Sequence, residues 1–162
     1  MSLTDEVLAA NQRYARDFTL GHLPIPPARK LAIVACMDAR LAIEPMLGLQ
    51  TGDAHIIRNA GGIVSEDALR SLIISHHLLG TQEFIIINHT DCGMLTFRDA
   101  ELRERLRQQS GVDTVAPAQF YAFADLEDNV RAQIEKVRSH PWIPRHISVR
   151  GFIYDVKTGQ LR

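Results

Sequence analysis

Two short apolar runs most constrain the fold. Leu31-Ala32-Ile33-Val34-Ala35 leads directly into Cys36-Met37-Asp38-Ala39-Arg40, and Phe84-Ile85-Ile86-Ile87-Asn88 leads directly into His89-Thr90-Asp91-Cys92-Gly93. Continuous apolar runs of this length, far below the roughly 20 residues of a membrane span, suit strands covered on both faces in a parallel sheet. Residues 54–58 have the same character, and residues 147–156 read as a longer strand followed by a Lys157-Thr158-Gly159 turn. Between the second and third strands, residues 65–79 carry a helical pattern. Ser65 stands as N-cap, Ala68, Leu69, Leu72, Ile73, His76 and Leu79 share one face, and Gly80 terminates it. Ile74 and Leu78 make its other side apolar too, as in a helix at a subunit interface. Strands separated by helices imply an α/β fold with a parallel-rich central sheet of about four to five strands flanked by helices. Its ligands are expected at the carboxyl ends of the strands.

Residues 3–18 place Leu3, Val7, Leu8, Tyr14 and Phe18 at near-helical spacing, with Ser2 or Thr4 available as N-cap. The following Gly21-His22-Leu23-Pro24-Ile25-Pro26-Pro27 stretch favours extended backbone, so the helix reads as an N-terminal arm packed away from the first strand. Two more helices are expected near residues 95–108 and 126–139. The first carries the alternating charges Arg98, Asp99, Glu101, Arg103, Glu104 and Arg105, a solvated face. The expectation is one domain over residues 1–162, with residues 1–27 as helix and proline-rich arm.

Eighteen Lys plus Arg against nineteen Asp plus Glu leave no electrostatic footprint for nucleic acid or an anionic membrane, so a small-molecule partner is expected. Asp5 and Glu6 precede any basic residue and no apolar h-region follows, which is not the pattern of a secretory signal. A cytoplasmic address is expected, and in a reducing compartment Cys36 and Cys92 point to metal or catalysis rather than a disulfide.

Two thiolates and one imidazole, Cys36, Cys92 and His89, supply the ligand number of a catalytic zinc that keeps a fourth position open. Singly, each cysteine reads as a small core residue and the lone histidine as a polar cap rather than a ligand. Jointly, a His-x-x-Cys after one strand and a Cys after another favour a metal. Asp38 offers a fourth ligand, so a closed structural site is the competing arrangement.

These segments resemble the β-class carbonic anhydrases, most closely the short bacterial members, over nearly the whole chain. The family's Cys-x-Asp-x-Arg motif stands as Cys36, Asp38 and Arg40. Its His-x-x-Cys-Gly motif stands as His89, Cys92 and Gly93, and its Arg-Asn-Ala-Gly segment as Arg58-Asn59-Ala60-Gly61, followed by Gly62. The resemblance implies one zinc per subunit held by Cys36, His89 and Cys92, in a homodimer or multiple of dimers whose N-terminal helix crosses to the neighbour. The chain departs from plant-like members, which carry a substrate-facing glutamine before the first strand, where residues 23–27 here contain none.

The expected reaction is reversible hydration of CO2 to bicarbonate and a proton by zinc-bound hydroxide. Asp38 would orient the hydroxide and Arg40 would restrain Asp38 through a bidentate contact. Gly61 and Gly62 either let backbone approach the pocket or make a turn. Arg58 either faces the site or pairs within the fold, and no role is expected for His22, His55, His76, His77, His140 or His146. COS and CS2, linear molecules with an electrophilic carbon, are the alternative substrates, and a non-catalytic zinc-binding regulatory or structural module is the alternative of a different class.

Overall fold

A computed structural model describes residues 2–162. Four strands form one all-parallel sheet: β1 (Leu31–Cys36), β2 (Ala54–Asn59), β3 (Glu83–His89) and β4 (Ser148–Tyr154), in the order β2-β1-β3-β4. The helices are α1 (Leu3–Arg16), α2 (Ile43–Leu47), α3 (Glu66–Leu79), α4 (Asp99–Ser110) and α5 (Leu126–Arg138). Ala32, Ile33, Val34 and Ala35 are fully buried, as a central strand requires, because alternate residues enter two different cores. Ala32 and Val34 pack with Val64, Leu72, Phe84 and Val137 under α3 and α5. Ile33 and Ala35 pack with Leu41, Ile43, Ile87 and Met94 on the opposite face.

This order fixes where a ligand can sit. From β1 the chain moves outward to β2, then crosses to β3 on the other side of β1 and continues outward to β4. The connections leaving the carboxyl ends of β1 and β3 therefore diverge, and a crevice opens between the two strand ends. Cys36 is the last residue of β1 and His89 the last of β3.

Local chemistry sets the helix ends. Ser2 caps α1 in a reciprocal capping box with Asp5, and Ser65 caps α3, which stops at Gly80 in the left-handed conformation. Within α3, Ala68, Leu72 and Ser75 are buried, while Leu78 on the other side is 75% exposed. No residue of α1 is buried, and Leu3, Val7, Leu8 and Tyr14 lie open on it.

Several boundaries depart from the sequence reading. The first helix ends at Arg16 rather than Phe18. The helix expected from Leu95 breaks into a 3-10 turn at Gly93–Leu95 and α4 from Asp99, because the Asp99 carboxylate accepts the backbone N–H groups of Phe120, Tyr121 and Ala122 and pins the helix start there. The five-residue α2 is too short to show a period and was not anticipated. Strand β2 is only half-buried, since it lies at the sheet edge. Among the described residues no helix is long and apolar enough to cross a membrane.

Candidate metal centre

The crevice between β1 and β3 collects the three soft ligands that the sequence separates. Cys36 Sγ, Cys92 Sγ and a ring nitrogen of His89 all lie within 4.8 Å of one another, and all three residues are buried. Cys36 and His89 arrive on rigid strand ends. Cys92 is delivered by the turn after β3: Asp91 adopts φ 55°, reversing the chain, and the 3-10 turn begins immediately after Cys92.

The imidazole is oriented by its own backbone. Nδ1 of His89 donates to the carbonyl of Thr90 at 2.8 Å, which leaves the Nε2 lone pair free to face inward. Nε2 is buried and has no hydrogen-bond partner among the described residues. A buried unpaired nitrogen costs on the order of 1–3 kcal/mol, and a cation shared with two sulfurs removes that cost. The sulfurs themselves also call for positive charge. Cys36 is held well below the ordinary thiol range, chiefly by the hydrogen bond from Cys92, which retains its own proton more tightly for the same reason. Burying both as thiolates is unfavourable unless a divalent ion neutralises them.

Asp38 and Arg40 stand at the rim of this set. Nε and Nη2 of Arg40 donate to the two carboxylate oxygens of Asp38 at 2.9 and 2.8 Å, and the Arg40 backbone N–H donates to Oδ1 at 2.9 Å. Nη2 also donates to the carbonyl of Asp91 at 3.1 Å, tying the first motif to the second. Those bonds from Arg40 hold the Asp38 carboxyl far below the usual carboxylate range. Oδ2 lies 3.8 Å from His89 Nε2, so the carboxylate borders the space between the three ligands.

Arg58, left open by the sequence, faces the backbone of the site. Its guanidinium donates to the carbonyls of Cys36 at 3.0 Å and Asp38 at 2.7 Å, bracing the first motif from the adjacent strand. Asn59 clamps the turn after β2 by pairing both polar groups of its amide with the backbone of Ile63. Gly61 and Gly62 both make this turn and bring it close. Each has positive φ, and a Cβ on Gly62 would sit 2.8 Å from the carbonyl oxygen of Ile87 and 2.9 Å from the nitrogen of Cys36. Gly62→Ala is therefore expected to cost at least about 1–3 kcal/mol from the backbone conformation alone, read as a lowered midpoint in a thermal or urea melt. An unchanged midpoint would mean the turn relaxes freely. The other six histidines stand away from the three ligands; His55 bonds Ser75, His76 the Thr81 carbonyl and His77 the Trp142 carbonyl. Sequence reasoning missed the buried amides Asn88, Asn129 and Gln133, which lie behind the centre.

Comparisons with known proteins agree with this geometry. A family model described as carbonic anhydrase matches residues 31–161. The chain is 46% identical over 162 residues to β-carbonic anhydrase 1 of Mycobacterium tuberculosis, covering 99% of this chain and 97% of that protein. It is 34% identical over 181 residues to a carbon disulfide hydrolase of Acidithiobacillus thiooxidans, covering 100% of this chain and 90% of the relative. The crystal structure of a carbonic anhydrase from Streptococcus mutans superposes with a TM-score of 0.93 at 47% identity, covering 100% and 97% of the two chains. With the cysteines, histidine and Asp–Arg pair of both motifs gathered at one crevice, the chain belongs to the β-carbonic anhydrase family.

Proposed function

We propose that the protein catalyses the reversible hydration of CO2 to bicarbonate and a proton, with one zinc ion held by Cys36, His89 and Cys92. The observation that carries this reading is the buried, unpartnered Nε2 of His89 facing two buried sulfurs. Three protein ligands of this type, with no fourth among them, are the donor set of a catalytic rather than a closed zinc site. When bound, zinc supplies Lewis acidity that makes hydroxide available from water near neutral pH for attack on the carbon of CO2.

The remaining work belongs to the chain. Asp38, ionised and locked by Arg40, accepts a hydrogen bond from the attacking oxygen and so aims its lone pair at the substrate. The contact from Arg40 to the Asp91 carbonyl keeps that carboxylate off the ligand set. Gly62 lets the turn after β2 close against the backbone of Cys36 and Ile87, an approach that a Cβ would block.

The kinship with carbon disulfide hydrolases supports a second reading, in which the same nucleophile attacks COS or CS2. The greater identity to carbonic anhydrases favours CO2. One zinc-loaded preparation assayed for CO2 hydration and for sulfide release from COS and CS2 separates them: faster turnover of a sulfur substrate would overturn the CO2 reading. A non-catalytic module would not need the Asp38–Arg40 clamp beside its ligands, and absence of hydration at any pH would support it.

The exposed apolar residues of α1 and the extended segment after it support a homodimer, or a multiple of dimers, in which α1 crosses to the neighbouring subunit. Deleting residues 1–20 should weaken association in light scattering and lower activity. A fully active truncated dimer would contradict the arm. The unpaired cysteines suit a reducing compartment, which supports a cytoplasmic location.

A further inference from the structure

The turn that carries the histidine ligand is held from the carboxyl end of the chain. Strands β3 and β4 run in register to their last residues, with His89 opposite Tyr154. One step further, the backbone N–H of Thr90 donates to the Tyr154 carbonyl at 2.9 Å, and the Thr90 hydroxyl accepts the N–H of Val156 at 3.1 Å. Past Val156 the chain turns back. The Asp155 carboxylate accepts the N–H groups of Lys157 and Thr158, Tyr154 bridges to Leu161, and Ile153 and Arg162 exchange both backbone hydrogen bonds at 2.9 and 3.0 Å. Tyr154, Val156 and Leu161 pack on the cluster that contains Cys36 and Cys92. Residues 153–162 therefore form a hairpin fastened against the end of β3.

Thr90 is the residue on which this hairpin closes, and its own carbonyl is the acceptor of His89 Nδ1 at 2.8 Å. Anchoring the N–H and the hydroxyl of one residue fixes its Cα and leaves its carbonyl a single soft torsion, ψ, so the acceptor is held where the ring nitrogen meets it. Strand pairing alone does not ask for a hydroxyl here. The backbone N–H of Thr90 already continues the contact with β4, whereas the side chain takes a separate donor 66 residues away. We propose that Thr90 is a positioning residue for His89: its hydroxyl, anchored on Val156 of the C-terminal hairpin, sets the Thr90 carbonyl on Nδ1, which keeps the proton on that nitrogen and presents the Nε2 lone pair to the metal. This rests on the reading of Cys36, His89 and Cys92 as metal ligands. Outer partners of a ligating imidazole fix its tautomer and ring orientation, and losing one weakens metal binding about 10–100-fold.

The test uses the full chain with Thr90→Val, which keeps the branched shape and removes the hydroxyl, and with Thr90→Ser, which keeps the hydroxyl and loses the methyl group. Zinc affinity is measured by competition with a chromophoric chelator, and the Nδ1 proton of His89 is followed by NMR in the zinc-loaded protein. Thr90→Val should bind zinc about tenfold more weakly and exchange that proton with water faster, while Thr90→Ser should stay near wild type in both readouts. A lowered melting temperature with wild-type zinc affinity and exchange in Thr90→Val would overturn the proposal and leave the hydroxyl a support of the hairpin alone. Equal losses in Thr90→Ser would overturn it too, by assigning the effect to the methyl group. If Thr90→Val does not fold, Thr90→Ala is set against Thr90→Ser and decides by the same readouts. A wild-type chain that binds no zinc would overturn the metal reading itself, and this role of Thr90 with it.

Discussion

Replacing Cys36, His89 or Cys92 by Ala is expected to abolish bound zinc and CO2 hydration together, whereas the unaltered chain should carry about one zinc per subunit. The three positions are equivalent in this respect because the centre has no spare donor among its own ligands. Each substitution leaves two of the three ligand atoms that converge within 4.8 Å of one another, and so cuts affinity steeply. His89→Ala also removes the buried nitrogen that lacks a partner, so in metal-free conditions this variant should be no less stable than expected for a lost ring. Metal analysis of dialysed protein and a stopped-flow hydration assay check the prediction. Full zinc occupancy after Cys92→Ala would strike that residue from the ligand set, and activity without metal would sink the zinc reading altogether.

How much of this was legible in the sequence depended on the range of the interactions involved. Strand ends could be placed because β1 and β3 are buried on both faces, so apolar residues run without interruption until the ligand positions. Ser65 and Gly80 bound α3 through local backbone chemistry, which sequence displays directly. The start of α4 is set by a carboxylate reaching residues 21 to 23 positions away, and no local signal in a charged segment could reveal it. The Asp38–Arg40 pair was visible as spacing, but its further contact, from Arg40 to the Asp91 carbonyl, spans 51 residues. No role was assigned to Asn129 or Gln133 from the sequence. Their burial appears only when α5 lies across β3, because a polar residue at helical spacing carries no mark of which side of the helix it faces.

Arg40→Ala is expected to keep zinc and lose about a hundredfold in kcat, the size of effect that a small misplacement of a catalytic group produces. The guanidinium contributes two of the three bonds on the Asp38 carboxylate and also bonds the Asp91 carbonyl of the second motif. Without it, one backbone bond to Oδ1 remains, and Oδ2, already 3.8 Å from the His89 nitrogen, is free to turn into the ligand set. A carboxylate there occupies the position the substrate chemistry needs, so the variant should be a zinc protein of closed type. Asp38→Asn should likewise retain zinc and turn over slowly, for a different reason: the amide has one acceptor oxygen where the carboxylate has two, and its NH2 cannot accept a proton from the nucleophile. The pH dependence separates the group that titrates from the group that orients. Because Arg40 holds the Asp38 carboxyl depressed, Asp38 remains ionised through the whole working range and is protonated only in strong acid. A rise of activity from neutral to alkaline pH therefore belongs to the nucleophile's own proton, and it should persist in Asp38→Asn at a lower plateau. In Arg40→Ala the rise should begin at higher pH, since hydroxide must then displace a competing carboxylate. Near wild-type rates in both variants at every pH, with zinc content unchanged, would show the pair to be structural and leave the orientation of the nucleophile to the ligands alone.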